Sequence, residues 1–152
     1  MKIIGISGSP RQNGNSEILL EYSLKPFYQA DWEVKKYCLS QLNIKPCDGC
    51  EKCTISRECK ISDDMHQIIN DYYSCDAIII SSPVYYRNVT AQLKSVFDRS
   101  YVTKADKPLT GKVGGGIVVG RGNGGGQSLA LSIIYNFFLS SGALCVPGEL
   151  NG

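Results

Sequence analysis

The sequence predicts an α/β domain built on a parallel sheet with helices on both faces. The apolar runs IIGI, AIII and GGGIVV are continuous rather than alternating, as expected of strands buried on both sides. Between them lie stretches with helical spacing or helix caps, so strand alternates with helix along the chain. The length of 152 residues, 43% hydrophobic and 20% charged, suits one domain that buries well over half of its unfolded surface. A single domain over residues 1–152 is therefore expected.

Residues 2–7 form the first predicted strand, and residues 16–28 the first helix, capped by Asn15 or Ser16. The second strand covers residues 32–38, and a cysteine-rich insertion occupies 40–61. Ser62, followed by Asp63 and Asp64, reads as the cap and acidic first turn of another helix. The third strand is placed at 77–81. Leu93, Val96, Phe97 and Ser100 then follow at the i, i+3, i+4, i+7 spacing of a helix facing a core. In the fourth strand, 113–119, the glycines at 114–116 would let a helix approach closely. A helix over 127–141 and a short fifth strand over 143–146 complete the pattern. Sheets of this kind usually finish with a helix after the last strand, and none is read before Gly152. Further residues or a partner subunit are expected to cover that face.

Charge and leader signals exclude several classes. The 16 basic and 14 acidic residues are interleaved, giving a net charge of +2 without the basic stripe of a nucleic-acid binder. The opening MKIIGISGSP is too short and too broken by glycine and proline for a signal or membrane segment, so no membrane partner and a cytoplasmic location are expected. In a reducing compartment, seven cysteines, an odd number, point to metal or catalysis before disulfides.

In an open parallel sheet the ligand lies beyond the carboxyl ends of the strands. The loop leaving the first strand, SGSPRQNGNS (7–16), is rich in hydroxyls, amides and glycine. Together with backbone N–H groups at a helix start, these can wrap a phosphate without a metal; an ordinary polar turn with an N-cap is the plainer alternative. No GK[ST] follows, which excludes a Walker A loop. The loop after the third strand, SSPVYYRNVT (81–90), offers tyrosines able to cover a flat ring or simply to pack. After the fourth strand, GRGNGGGQ (120–127) lets backbone amides approach a ligand closely. Its G-x-G-x-x-G match is not a dinucleotide fingerprint, because it does not open the sheet and position 145 is a cysteine, not an acid. His66, the single histidine, reads as a helix-surface residue.

A phosphate loop, an aromatic loop and a glycine loop after the first, third and fourth strands are what a flavodoxin-like sheet presents to FMN. The segments GISGSPRQNGNSE, SSPVYYRNVTAQLKSVFDR and GKVGGGIVVGRGNGGGQ resemble the NADPH-dependent FMN reductase superfamily. With CDGCEKC and a fourth cysteine added, residues 2–146 resemble its iron-sulfur flavoprotein branch. The resemblance implies a doubly wound five-stranded sheet in the order 2-1-3-4-5, with FMN as cofactor. Ser7, Ser9, Arg11, Asn13, Asn15 and Ser16 would then hold the phosphate. Pro83, Val84, Tyr85 and Asn88 would meet the flavin ring or ribityl chain, and Gly122, Gly124, Gly125 and Gln127 the pyrimidine edge.

Cys47, Cys50, Cys53 and Cys59 follow C-x2-C-x2-C-x5-C. Three thiols in seven residues resemble the start of ferredoxin-type [4Fe-4S] binding, whereas structural zinc usually takes two separated pairs. Spacing leaves both open; the family resemblance implies the cluster. It also implies a homodimer or homotetramer in which one subunit's cluster serves another's flavin, with a ferredoxin-like carrier as partner. The insertion leaves the second strand at the ligand edge, so the two centres are expected near one another. Cys38, Cys75 and Cys145 read as small buried apolar residues. The alternative function is an NAD(P)H-dependent FMN or quinone reductase whose cysteines hold zinc or no metal.

Overall fold

The computed structural model describes residues 1–122 and 124–147. Five parallel strands form one sheet in the order β2-β1-β3-β4-β5: β1 (Lys2–Ser7), β2 (Glu33–Cys38), β3 (Ala77–Pro83), β4 (Val113–Val119) and β5 (Leu144–Cys145). The helices are α1 (Asn15–Gln29), α2 (Cys53–Ser56), α3 (Met65–Ser74), α4 (Ala91–Arg99) and α5 (Gln127–Ser140). The expected flavodoxin-like order and class are what the chain adopts.

Alternation along the strands divides the core. Ile4, Ile6, Ile78 and Ile80 point to one face, where they meet Ile68 and Tyr72 of α3, Leu93 and Val96 of α4, and Ile134 and Phe138 of α5. Ile3 and Ala77 point to the other, against Leu20 and Leu24 of α1. Each such side chain gains about 1.5–3 kcal/mol on burial. The β4 glycines act as expected: a Cβ at Gly114 would lie 2.8 Å from the Phe138 ring, and one at Gly116 2.8 Å from Leu131. Val113, paired with Leu144, stands on the α1 face, and the two are 42% and 61% exposed. The expected absence of a C-terminal helix concerns positions outside the described residues.

Element ends differ from expectation for local reasons. Strand β2 begins at Glu33, because Trp32 turns back edge-on against Phe27 with ring centroids 5.0 Å apart. Strand β3 runs two residues past Ser81, its Ser82 and Pro83 pairing with Val118 and Val119. Helix α1 is not capped by a side chain: Gly14 occupies the N-cap position, and Asn15 and Ser16 lie inside the first turn. Nor does Ser62 cap α3, which starts at Met65 with no acid in its first turn; Asp63 Oδ1 instead accepts the Met65 N–H at 3.1 Å.

Candidate functional site

The loop from β1 to α1 is fixed from below and within. Gly8 N–H donates to Ser81 O at 2.7 Å, and Thr90 Oγ1 donates to Gly8 O at 2.6 Å. Ser9 Oγ accepts the Arg11 N–H at 3.0 Å and donates to Arg11 O at 2.9 Å. Asn13 takes left-handed backbone (φ 55°), which asparagine tolerates, and donates its N–H to Glu17 Oε2 at 2.8 Å. Since no side chain caps α1, the N–H groups of its first turn remain for a ligand.

Glu17 was not singled out by the sequence reading, although an acid in the first turn of a helix that follows a binding loop marks the position. Burial pushes its carboxyl up, but the Cys38 thiol at 3.2 Å, the Asn13 N–H and Lys36 outweigh that and hold it below its ordinary value. Burial and Glu17 push the Cys38 thiol up to about 11, so Cys38 is a hydrogen-bond donor to Glu17 rather than an inert core residue. Ser7 lies under α1, almost fully buried, and its Oγ and that of the neighbouring Ser81 have no partner.

The aromatic loop is a two-residue hairpin, not a turn set by proline. Tyr85 and Asn88 exchange backbone hydrogen bonds at 2.9 and 3.0 Å, leaving Tyr86 and Arg87 at the tip with φ of 49° and 63°. Such turns prefer Asn-Gly, so this loop holds strained backbone beside the cleft. The glycine loop supports it: a Cβ at Gly126 (φ 99°) would sit 2.8 Å from Arg87 Cα. Gln127 folds its amide against Gly120 and donates to Gly122 O at 2.8 Å, so that side chain braces the loop. Gly122 and Gly124 have left-handed φ of 71° and 76°.

These loops enclose a cleft of about 440 Å³. Ser9, Arg11, Asn15 and Ser16 line one end, Pro83, Val84 and Tyr85 a wall, and Val119, Gly120 and Arg121 the other end. Among the described residues two arginines and no carboxylate face it, which suits an anionic ligand with an apolar body. Ser7, Asn13, Asn88, Gly122, Gly124, Gly125 and Gln127 are not on this lining. Several of them hold its loops. Arg121, the single charged residue of the glycine loop, was missed.

The second site gathers Cys47, Cys50, Cys53 and Cys59 around one pocket of about 330 Å³, with Ile61, Arg99, Tyr101 and Val102 on its walls. The chain between the thiols is sharply folded. Gly49 and Glu51 are left-handed (φ 69° and 56°), α2 is a single turn, and left-handed Arg57 ends it. Gly49 N–H points at Cys47 Sγ at 3.5 Å, and Lys60 pairs with Asp48 at 2.6 Å across the loop. Burial, with the other three cysteines adding to it, pushes the Cys53 thiol up. Among the described residues no three such side chains converge as for a single metal ion. The two linings share no residue. Helix α4 links them, from Thr90 beneath the first loop to Arg99 in the cysteine pocket, over about 13 Å of helix.

A family model described as NADPH-dependent FMN reductase matches residues 1–151. An iron-sulfur flavoprotein of Methanocaldococcus jannaschii is 40% identical over 139 residues, 91% of this chain and 72% of that protein. One from Archaeoglobus fulgidus is 42% identical over 86% of this chain and 59% of its own length. One from Methanosarcina thermophila is 35% identical over 96% of this chain and 77% of its own. Among solved structures, the apo form of an NADH:FMN oxidoreductase superposes with a TM-score of 0.73 over 97% of this chain and 72% of that one, at 21% identity. An archaeal flavodoxin does so with a TM-score of 0.63 over 97% and 80%, at 15% identity. At those identities the structural likeness speaks for the fold alone.

Proposed function

Since the chain belongs to the NADPH-dependent FMN reductase family, within its iron-sulfur flavoprotein branch, we propose that it is a redox flavoprotein binding FMN and a [4Fe-4S] cluster, and that it passes electrons between one-electron, ferredoxin-like carriers and two-electron acceptors. The observation that carries this reading is that all four thiols of residues 47–59 line one pocket, in a chain that also has an anion-binding cleft on its sheet. Bound FMN takes electrons as a pair or singly and a [4Fe-4S] cluster takes them one at a time, so the two together convert between both kinds of partner.

In the cleft, Arg11, Asn15, Ser16 and the free N–H groups of α1 receive the phosphate, while Ser9, Asn13 and Glu17 keep the loop closed around it. Pro83, Val84 and Tyr85 present an apolar wall to the ring, and the Asn88 backbone closes the hairpin behind it. Gly122, Gly124 and Gly125 leave the pyrimidine edge to backbone groups, with Gln127 as brace and Arg121 as a further cation. Cys47, Cys50, Cys53 and Cys59 are the cluster ligands. Structural zinc usually takes two separated pairs of ligands, which suits the C-x2-C-x2-C-x5-C spacing less well. Electron exchange between the centres is proposed to run across a homodimer or homotetramer contact, as the family resemblance implies.

The Cys50→Ser chain, prepared anaerobically with iron supplied, tests this. It should keep its flavin and two-electron reduction by a chemical reductant, and lose iron together with rapid exchange with a ferredoxin. Unchanged ferredoxin kinetics, or stoichiometric zinc in the parent protein prepared the same way, would overturn the reading.

A further inference from the structure

Arg99 ends α4 and is only 2% exposed, yet no sequence pattern marks it. Its donors can be counted completely. Nη1 donates to Asp63 Oδ2 at 2.7 Å and to Lys45 O at 2.9 Å, and Nη2 to Asp63 Oδ1 at 3.0 Å and to Ile61 O at 3.1 Å. That uses four of the five N–H bonds a guanidinium offers. The fifth, on Nε, is buried without an acceptor, and Arg99 stands on the wall of the pocket that holds Cys59. A buried donor left unmade costs about 1–3 kcal/mol, so a protein that keeps one has a partner for it in its working state.

We propose that Arg99 is the positioning residue of the cysteine pocket, fastening both flanks of the cysteine loop to α4 and giving its free Nε–H to the Cys59 sulfur when that sulfur is a metal-bound thiolate. This inference rests on the reading of the pocket as a cluster site. Lys45 and Ile61 stand just outside the first and last cysteines, so one side chain closes the loop at both ends. Asp63 is equally buried, and its bidentate grip orients the guanidinium. Hydrogen bonds and positive charge at a cluster sulfur favour the reduced, more negative cluster, so Arg99 raises its reduction potential.

The test uses the full chain with iron and flavin, made anaerobically as the parent and as Arg99→Lys and Arg99→Gln. Cluster and flavin potentials are titrated in the same sample. Both variants that retain four irons should show a cluster potential shifted negative, Arg99→Gln by more because it also loses the charge, with the flavin potential unmoved. An unshifted cluster potential at full iron content would overturn the proposal while leaving the cluster reading intact. A parent protein without iron would sink the cluster reading first, and this inference with it. A second measurement needs no variant. In parent protein labelled with 15N-arginine, the reduced cluster should show a weak 15N hyperfine coupling by pulsed electron paramagnetic resonance, and its absence would equally overturn the assignment.

Discussion

Ser9 is already engaged before any ligand arrives, since its hydroxyl both accepts from and donates to the Arg11 backbone. Its removal should act through loop shape and the phosphate held there. We expect Ser9→Ala to weaken FMN binding by about 1–3 kcal/mol and riboflavin hardly at all, as measured by titration calorimetry. Equal losses for both ligands would remove the phosphate from this loop. Asp71 is the residue to watch for acid stability. Lys2 at 2.8 Å, Lys35 at 2.8 Å and Tyr37, by a short hydrogen bond, surround its nearly buried carboxylate. Burial pushes that carboxyl up, and these partners together hold it down at about 2. A depressed folded value means the contribution is complete above the unfolded value near 4 and is lost as pH falls from there toward 2. Asp71→Asn should therefore cost about 3 kcal/mol at pH 7 in denaturant melts, and the gap to the parent should narrow below pH 4. A pH-independent gap would contradict the assignment. Residues of this kind were the least legible in the sequence: Arg99 meets Lys45 and Asp63 from 54 and 36 positions away. No local pattern encodes such a meeting.

Strands β1, β3 and β4 were readable because burial on both faces leaves a continuous apolar run, and α4 because its core residues keep helical spacing. The hairpin tip was not, since Tyr86 and Arg87 adopt positive φ without the Asn-Gly that normally announces it. The structure makes that tip depend on the glycine loop. Gly126→Ala would put a methyl 2.8 Å from Arg87 Cα at a φ of 99°. We expect flavin affinity to fall by about 1–2 kcal/mol, with thermal stability changed less than by a core substitution. Unaltered affinity would separate the hairpin from the site. In the core, Gly114→Ala brings a methyl against the Phe138 ring at 2.8 Å and should destabilise by about 1–3 kcal/mol, read as a lower denaturation midpoint. Lack of effect there would mean that α5 can lift off β4 freely.

At the scale of the molecule, the alternation of strand and helix was legible from the apolar runs and helix signals, whereas the sheet order came with the family resemblance that the loops and cysteines carry. The insertion leaves β2, and Arg99 ties both of its flanks to the end of α4 through Lys45 O and Ile61 O. One chain therefore carries a cleft of about 440 Å³ that Arg11 and Arg121 line and a four-thiol pocket of about 330 Å³, joined by helix α4. The most direct measurement of what that pair is for is the content of anaerobically purified protein: iron, acid-labile sulfide and FMN per chain. The account predicts about four irons, about four sulfides and one FMN in the same molecules. One FMN accompanied by a single zinc, or by no metal, in protein supplied with iron would contradict it.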